Sequence, residues 1–147
     1  MTTGHPDIFG FYGENQTVLS REQVEDFLKQ SFPTFEDQEC LVKHYLGKEH
    51  ADTYQFAIAK SLGDYVLTCP TVYFATVSAQ SGANVYYYDF RHKSSFIPWA
   101  DWVKPTHFDE VQFVFGGPFK YPTLFSVEER TLSKMMIEHW TNFVKYG

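Results

Sequence analysis

A chain of 147 residues with a net charge of −6 fits one domain or part of a larger one, and it has no basic run to neutralise phosphates, which argues against nucleic acid as a partner. No apolar run reaches the length of a membrane span, and Met1-Thr2-Thr3-Gly4-His5 lacks the basic and apolar regions of a signal peptide. The 15 Phe and 10 Tyr need partners, so a chain standing alone is expected to expose much aromatic surface.

The opening residues, Met1 to Gly13, are rich in glycine and aromatics and read as a loop. Ser20-Arg21-Glu22-Gln23 is a capping box, which starts a helix whose Val24, Phe27 and Leu28 share one face and which Pro33 stops. A second helix is predicted over Phe35–Leu46, with Gly47 just past its end. A third is predicted over Ala51–Leu62, closed by Gly63. Asp64 to Pro70 leads into a fourth over Thr71–Ala79, with Pro70 suited to a first helical turn because it has no N–H to leave unpaired. Ser81-Gly82-Ala83-Asn84 ends it.

Val85-Tyr86-Tyr87-Tyr88-Asp89-Phe90 is the one convincing strand. Arg91–Thr106 reads as irregular loop. Ser126-Val127-Glu128-Glu129 is a second capping box and opens a final helix, along which Leu132, Met135, Met136, His139, Trp140 and Phe143 recur at helical spacing. The stripe of Met135, Met136 and Trp140 is expected in the core. A lone strand cannot make a sheet, because its edges stay unpaired. The chain therefore reads as a piece that completes a sheet supplied from elsewhere.

Cys40 and Cys69 are too few for a disulfide framework and too scattered for a metal site, and they are expected to be small buried hydrophobes. Asn15-Gln16-Thr17 is a glycosylation sequon, usable only in the secretory pathway. Trp99 and Trp102 suit either a substrate gorge or core packing.

The chemistry-bearing stretch is Trp102-Val103-Lys104-Pro105-Thr106-His107-Phe108-Asp109-Glu110-Val111-Gln112-Phe113-Val114-Phe115-Gly116. It sets a histidine after a Pro-marked loop and before an acidic, aromatic segment. This stretch resembles the histidine loop of the type B carboxylesterase/cholinesterase family. The resemblance extends to Asp64–Pro70, to the strand Val85–Phe90, to Gly116-Gly117-Pro118-Phe119 and to the closing helix from Ser126 to Val144, in the family's order. Within the family, the His-Phe-Asp-Glu and Pro-Phe segments look closer to general carboxylesterases and bile-salt-type lipases than to cholinesterases.

The resemblance implies an α/β class: residues 1–147 would be the C-terminal portion of an α/β-hydrolase domain, mostly helical with one or two strands of the central sheet. It implies that His107 is the catalytic base of a serine esterase, since an imidazole can take a serine proton and return it to the leaving group. The chain has no Gly-x-Ser-x-Gly, so the nucleophile would come from an absent N-terminal portion. The third triad member falls in the loop Thr2–Phe9. One alignment puts His5 there and a slip of two residues puts Asp7 there. Asp7 is the loop's one carboxylate and the candidate.

Asp109 and Glu110 are expected to favour a helix N-terminus rather than to serve as the triad acid. Cys69 matches a position whose disulfide partner would lie beyond Gly147. The implied substrate is a small-molecule ester or a lipid, no cofactor is expected, and the implied location is secretory. The alternative is a cholinesterase-like adhesion or binding protein that has lost the triad, or a truncated gene product.

Overall fold

The computed structural model describes residues 2–3, 19–47, 54–97 and 103–147. The elements in chain order are β1 (Thr2–Thr3), α1 (Arg21–Ser31), α2 (Gln38–Leu46), α3 (Tyr54–Gly63), a π-helical segment (Asp64–Thr68), α4 (Cys69–Gln80), β2 (Asp89–Phe90), α5 (Val111–Val114), α6 (Gly117–Lys120) and α7 (Val127–Tyr146).

Local chemistry accounts for the ends of the helices. At α1 the Gln23 amide donates to Ser20 Oγ at 3.2 Å, and the Ser20 amide donates to Gln23 Oε1 at 2.8 Å. Helix α2 starts later than the predicted Phe35. Asp37 takes the cap, accepting the Cys40 amide at 2.8 Å. The Gln38 side chain then donates to the carbonyls of Phe32 and Phe35 at 2.9 and 2.7 Å, which closes the connecting turn. Helix α7 repeats the reciprocal cap, with Glu129 N donating to Ser126 Oγ at 3.1 Å and Ser126 N to Glu129 Oε2 at 2.7 Å.

Gly63 does not stop α3. It is buried and helical (φ −60°, ψ −44°), and the backbone runs on through the π-helical segment into α4. The reason lies at Pro70, which cannot donate an α-helical hydrogen bond and crowds the preceding turn. The register widens just before it: the Cys69 amide bonds to the Asp64 carbonyl, five residues back. Beyond α4, Ser81 and Gly82 (φ +90°) end the helix as expected.

The predicted strand Val85–Phe90 shrinks to Asp89–Phe90, which pairs in parallel with Thr2–Thr3. Val85, Tyr86 and Tyr87 are exposed, and the two-stranded sheet does not extend to them. A β-forming sequence becomes a strand only where a neighbour supplies the ladder.

Two apolar clusters hold the structure. Val24 and Leu28 of α1 pack with Leu41, Val42 and Leu46 of α2 and with Ala57 and Ile58 of α3. Full burial of side chains this size stabilises by about 1.5–3 kcal/mol each. The second cluster joins Phe90, Phe113, Phe125 and Met136. Phe113 is its centre, with ring centroids 5.4 Å from Phe90 and 6.0 Å from Phe125. Of the expected core stripe on α7, only Met136 is buried. Met136 packs against Phe90, Phe113 and Phe125, whereas Met135 and Trp140, which line a groove beside it, stay exposed.

Helix α4 has no buried residue, and its Val72, Tyr73, Phe74 and Val77 face outward. An apolar helix of this kind normally lies against another layer. The expectation of abundant exposed aromatic surface is therefore met. No helix among the described residues is long and apolar enough to cross a membrane.

Candidate active site

His107 stands at the tip of a tight turn. The Asp109 amide donates to the Thr106 carbonyl at 3.2 Å, and the Thr106 amide donates to Asp109 Oδ2 at 2.7 Å. The turn is thus closed twice, once by backbone and once by a carboxylate that is itself buried. Phe108, its third residue, has φ +74°, which is the type II pattern. Thr106, Asp109 and Glu110 are buried, His107 is half-buried and Phe108 is exposed. The turn therefore pushes two rings outward while its base is anchored.

The anchors have identifiable causes. Before the turn, Val103 is buried, and the Lys104 ammonium lies 6.0 Å from the centroid of Phe56 in α3. After it, α5 carries Phe113 into the second core cluster, and Ser133 Oγ of α7 donates to the Phe113 carbonyl at 2.7 Å. Gly116 (φ +74°) then turns the chain into α6. The position of His107 is in this way fixed by α7 through α5.

The acids behave differently from the expectation of a helix N-terminus. Helix α5 has four residues and Glu110 makes no side-chain cap to it. Asp109 clamps the turn instead. The Glu110 carboxylate is fully buried, and neither oxygen has a hydrogen-bond partner among the described residues. Burial raises its pKa above the usual carboxylate range; the charge of His107 opposes this and that of Asp109 adds to it. Thr106 Oγ1 is likewise buried without a partner among the described residues. Burial raises the Tyr88 pKa too; the charge of Glu110 adds to the effect and a hydrogen bond with Trp140 opposes it.

A second polar centre, unforeseen in the sequence, lies on Glu129. Its carboxylate accepts from the Ser95 amide at 2.7 Å, from Ser95 Oγ, and from the Ser126 amide, and it lies 3.0 Å from His92 Nε2. Burial alone would raise its pKa, but hydrogen bonds from Ser95, His92 and Ser126 prevail and hold it at about 2. The sequence signal was the capping box, which revealed only the Ser126 half of the role.

Several expected site residues fall outside the described residues: Asp7, His5, Asn15, Trp99 and Trp102. The two cysteines correct an expectation. Cys40 and Cys69 are both exposed and free. They sit on exposed positions of α2 and α4, and the second of these helices has no buried residue. Among the described residues no cluster of His, Cys, Asp or Glu could hold a metal ion. A groove of about 910 Å³ runs between residues 86–92 and α7, lined by Tyr86, Tyr88, Met135, Trp140 and Phe143 among others. His107 is not part of its lining.

The turn that displays His107 thus follows the strand pair in the chain and is itself followed by two buried acids, Asp109 and Glu110. Residues 7–147 match the model of the Carboxylesterase family, and the chain belongs to that family. It is 36% identical over 146 residues to Acetylcholinesterase-1 of Trittame loki, an alignment covering 95% of this chain and 26% of that protein. It is 31% identical over 143 residues to the cholinesterase of Mus musculus, covering 94% of this chain and 24% of that protein. It is 34% identical over 142 residues to the acetylcholinesterase of Leptinotarsa decemlineata, covering 93% and 23%. The chain thus spans about a quarter of the length of the curated relatives it matches. The family implies an α/β-hydrolase fold, and the mostly helical structure with its short parallel strand pair is consistent with one part of such a fold.

Proposed function

We propose that this chain is the C-terminal portion of a serine carboxylic ester hydrolase and supplies its general base, His107. The observation that carries the reading is the doubly closed turn that presents His107 outward in a chain of the Carboxylesterase family. The reaction is acyl transfer. His107 takes the proton of a serine hydroxyl as that oxygen attacks the ester carbonyl, then returns it to the departing alcohol. Water, activated by the same imidazole, releases the acid from the acyl-enzyme. Asp7 orients the imidazole and stabilises its charged form. No cofactor takes part.

The serine and the oxyanion donors come from another portion of the same domain, since this chain has no Gly-x-Ser-x-Gly. The exposure of the β-forming Val85 and Tyr86, the exposed apolar side chains of α4 and a buried Glu110 carboxylate without a hydrogen-bond partner among the described residues support the need for that portion. The isolated chain is inactive toward esters. The substrate is a small-molecule ester or lipid, and the protein works in the secretory pathway or outside the cell, with Asn15 as its glycosylation site.

In the intact protein, His107→Ala abolishes most ester hydrolysis, by a factor of about 10³ or more, while circular dichroism stays unchanged. Turnover at the unmutated rate refutes the assignment.

A further inference from the structure

The feature that the proposed reaction leaves unused is Phe108. Its φ of +74° makes it the one non-glycine residue with positive φ among those described. A side chain with a Cβ is strained there, and glycine is not. Burial of the ring does not offset this, because Phe108 is 60% exposed. Its ring lies instead against the imidazole of His107, with centroids 4.0 Å apart and planes 40° to one another. The two hydrogen bonds that close the turn keep both rings at its tip. One side of the imidazole is thus covered by an apolar ring that itself remains open to whatever approaches.

We infer that Phe108 is a specificity-determining residue that forms an apolar wall for the alcohol side of the ester. This rests on His107 being the base proposed above. The path of the proton gives the side. The imidazole hands its proton to the departing alkoxide, so the alcohol portion, not the acyl portion, comes to lie beside it. A ring in contact with the imidazole meets that portion. An exposed aromatic face at this place favours alcohols that carry a ring or an alkyl chain and gives small polar alcohols little to bind. Backbone strain persists where the surroundings over-determine it, and such positions concentrate at functional sites.

The test uses the intact protein with ethyl acetate, benzyl acetate and ethyl butyrate. The first two differ in the alcohol, and the first and third in the acyl group. Phe108→Gly and Phe108→Ala are expected to lower kcat/KM for benzyl acetate relative to ethyl acetate about tenfold, and to leave the butyrate-to-acetate ratio within about twofold. Phe108→Leu keeps most of the benzyl preference, because it keeps apolar bulk on the same backbone.

A second readout needs no activity. In NMR spectra of the 147-residue chain, the His107 ring protons are expected to move downfield in Phe108→Gly and Phe108→Ala as the ring current is lost. An unchanged alcohol preference in both variants, with His107→Ala inactive, overturns the wall and leaves the base assignment standing. Hydrolysis that survives in His107→Ala overturns the base and the wall together. Unshifted His107 resonances overturn the ring contact on which the wall depends.

Discussion

The Ser95 amide donates at 2.7 Å to the carboxylate of Glu129, a residue 34 positions further along the chain. This bond and its companions from Ser95 Oγ and His92 pin the loop after β2 to the first turn of α7. The same carboxylate caps α7, so one buried acid fixes both the helix start and the loop.

Glu129→Gln is expected to destabilise the chain by about 2–4 kcal/mol, since hydrogen bonds to a charged acceptor are lost in a buried place. The pKa of Glu129 is depressed in the fold to about 2. Its contribution is therefore fully present above the unfolded value near 4.5 and is lost as pH falls from there through about 2. Urea unfolding at a series of acid pH values should show this loss in the unmutated chain and not in the variant.

Glu110 has the opposite sign. Its folded pKa is raised, so the folded state holds its proton more tightly than the unfolded state does. The penalty is fully present above the folded pKa and fades as pH falls through it. Glu110→Gln should stabilise the isolated chain at neutral pH by about 1 kcal/mol and flatten this part of the pH profile. Equal unfolding midpoints for the two proteins across that range would count against the orphaned carboxylate.

Ser133→Ala removes the hydroxyl that meets the Phe113 carbonyl in a fully buried place. A loss of about 1–2 kcal/mol is expected, because the carbonyl is left without that donor. The effect should also reach the His107 turn, which α5 carries; amide exchange of residues 106–110 is the measurement.

Exposure of Tyr73 and Phe74, each 73%, makes α4 an adhesive surface in the isolated chain. The purified chain is expected to self-associate by light scattering. A Tyr73→Glu, Phe74→Lys double variant should reduce the scattering with a change in stability of less than about 0.5 kcal/mol.

Elements with a local cause were the most legible in the sequence. Ser20 and Ser126 announced their helices because a capping box is closed within four residues. The final helix was legible for a second reason, its long periodic face, but which of its apolar residues would be covered depended on what lies opposite. That is why Met136 is buried while Met135 and Trp140 are not. The run through Gly63 was misread because both Gly63 and Pro70 are common helix boundaries, and a π-helical turn absorbs the proline without a break. Val85–Phe90 has strand composition, yet strand formation is a property of pairs, and only Asp89 and Phe90 find partners.

At the site, the Pro-marked loop and the acids around His107 were legible. The clamp made by Asp109 was not, because an acid after a turn suits a helix start equally well. Nothing in the composition signals a phenylalanine with positive φ, since that backbone state is disfavoured for its type.

The parallel pairing of Thr2–Thr3 with Asp89–Phe90 joins distant parts of the chain. Helices α1 to α3 pack on one another within a single stretch from Arg21 to Gly63, whereas this ladder must close a much longer loop before any hydrogen bond rewards it. The strand junction is therefore the part of this chain whose formation carries the greatest loop-closure cost.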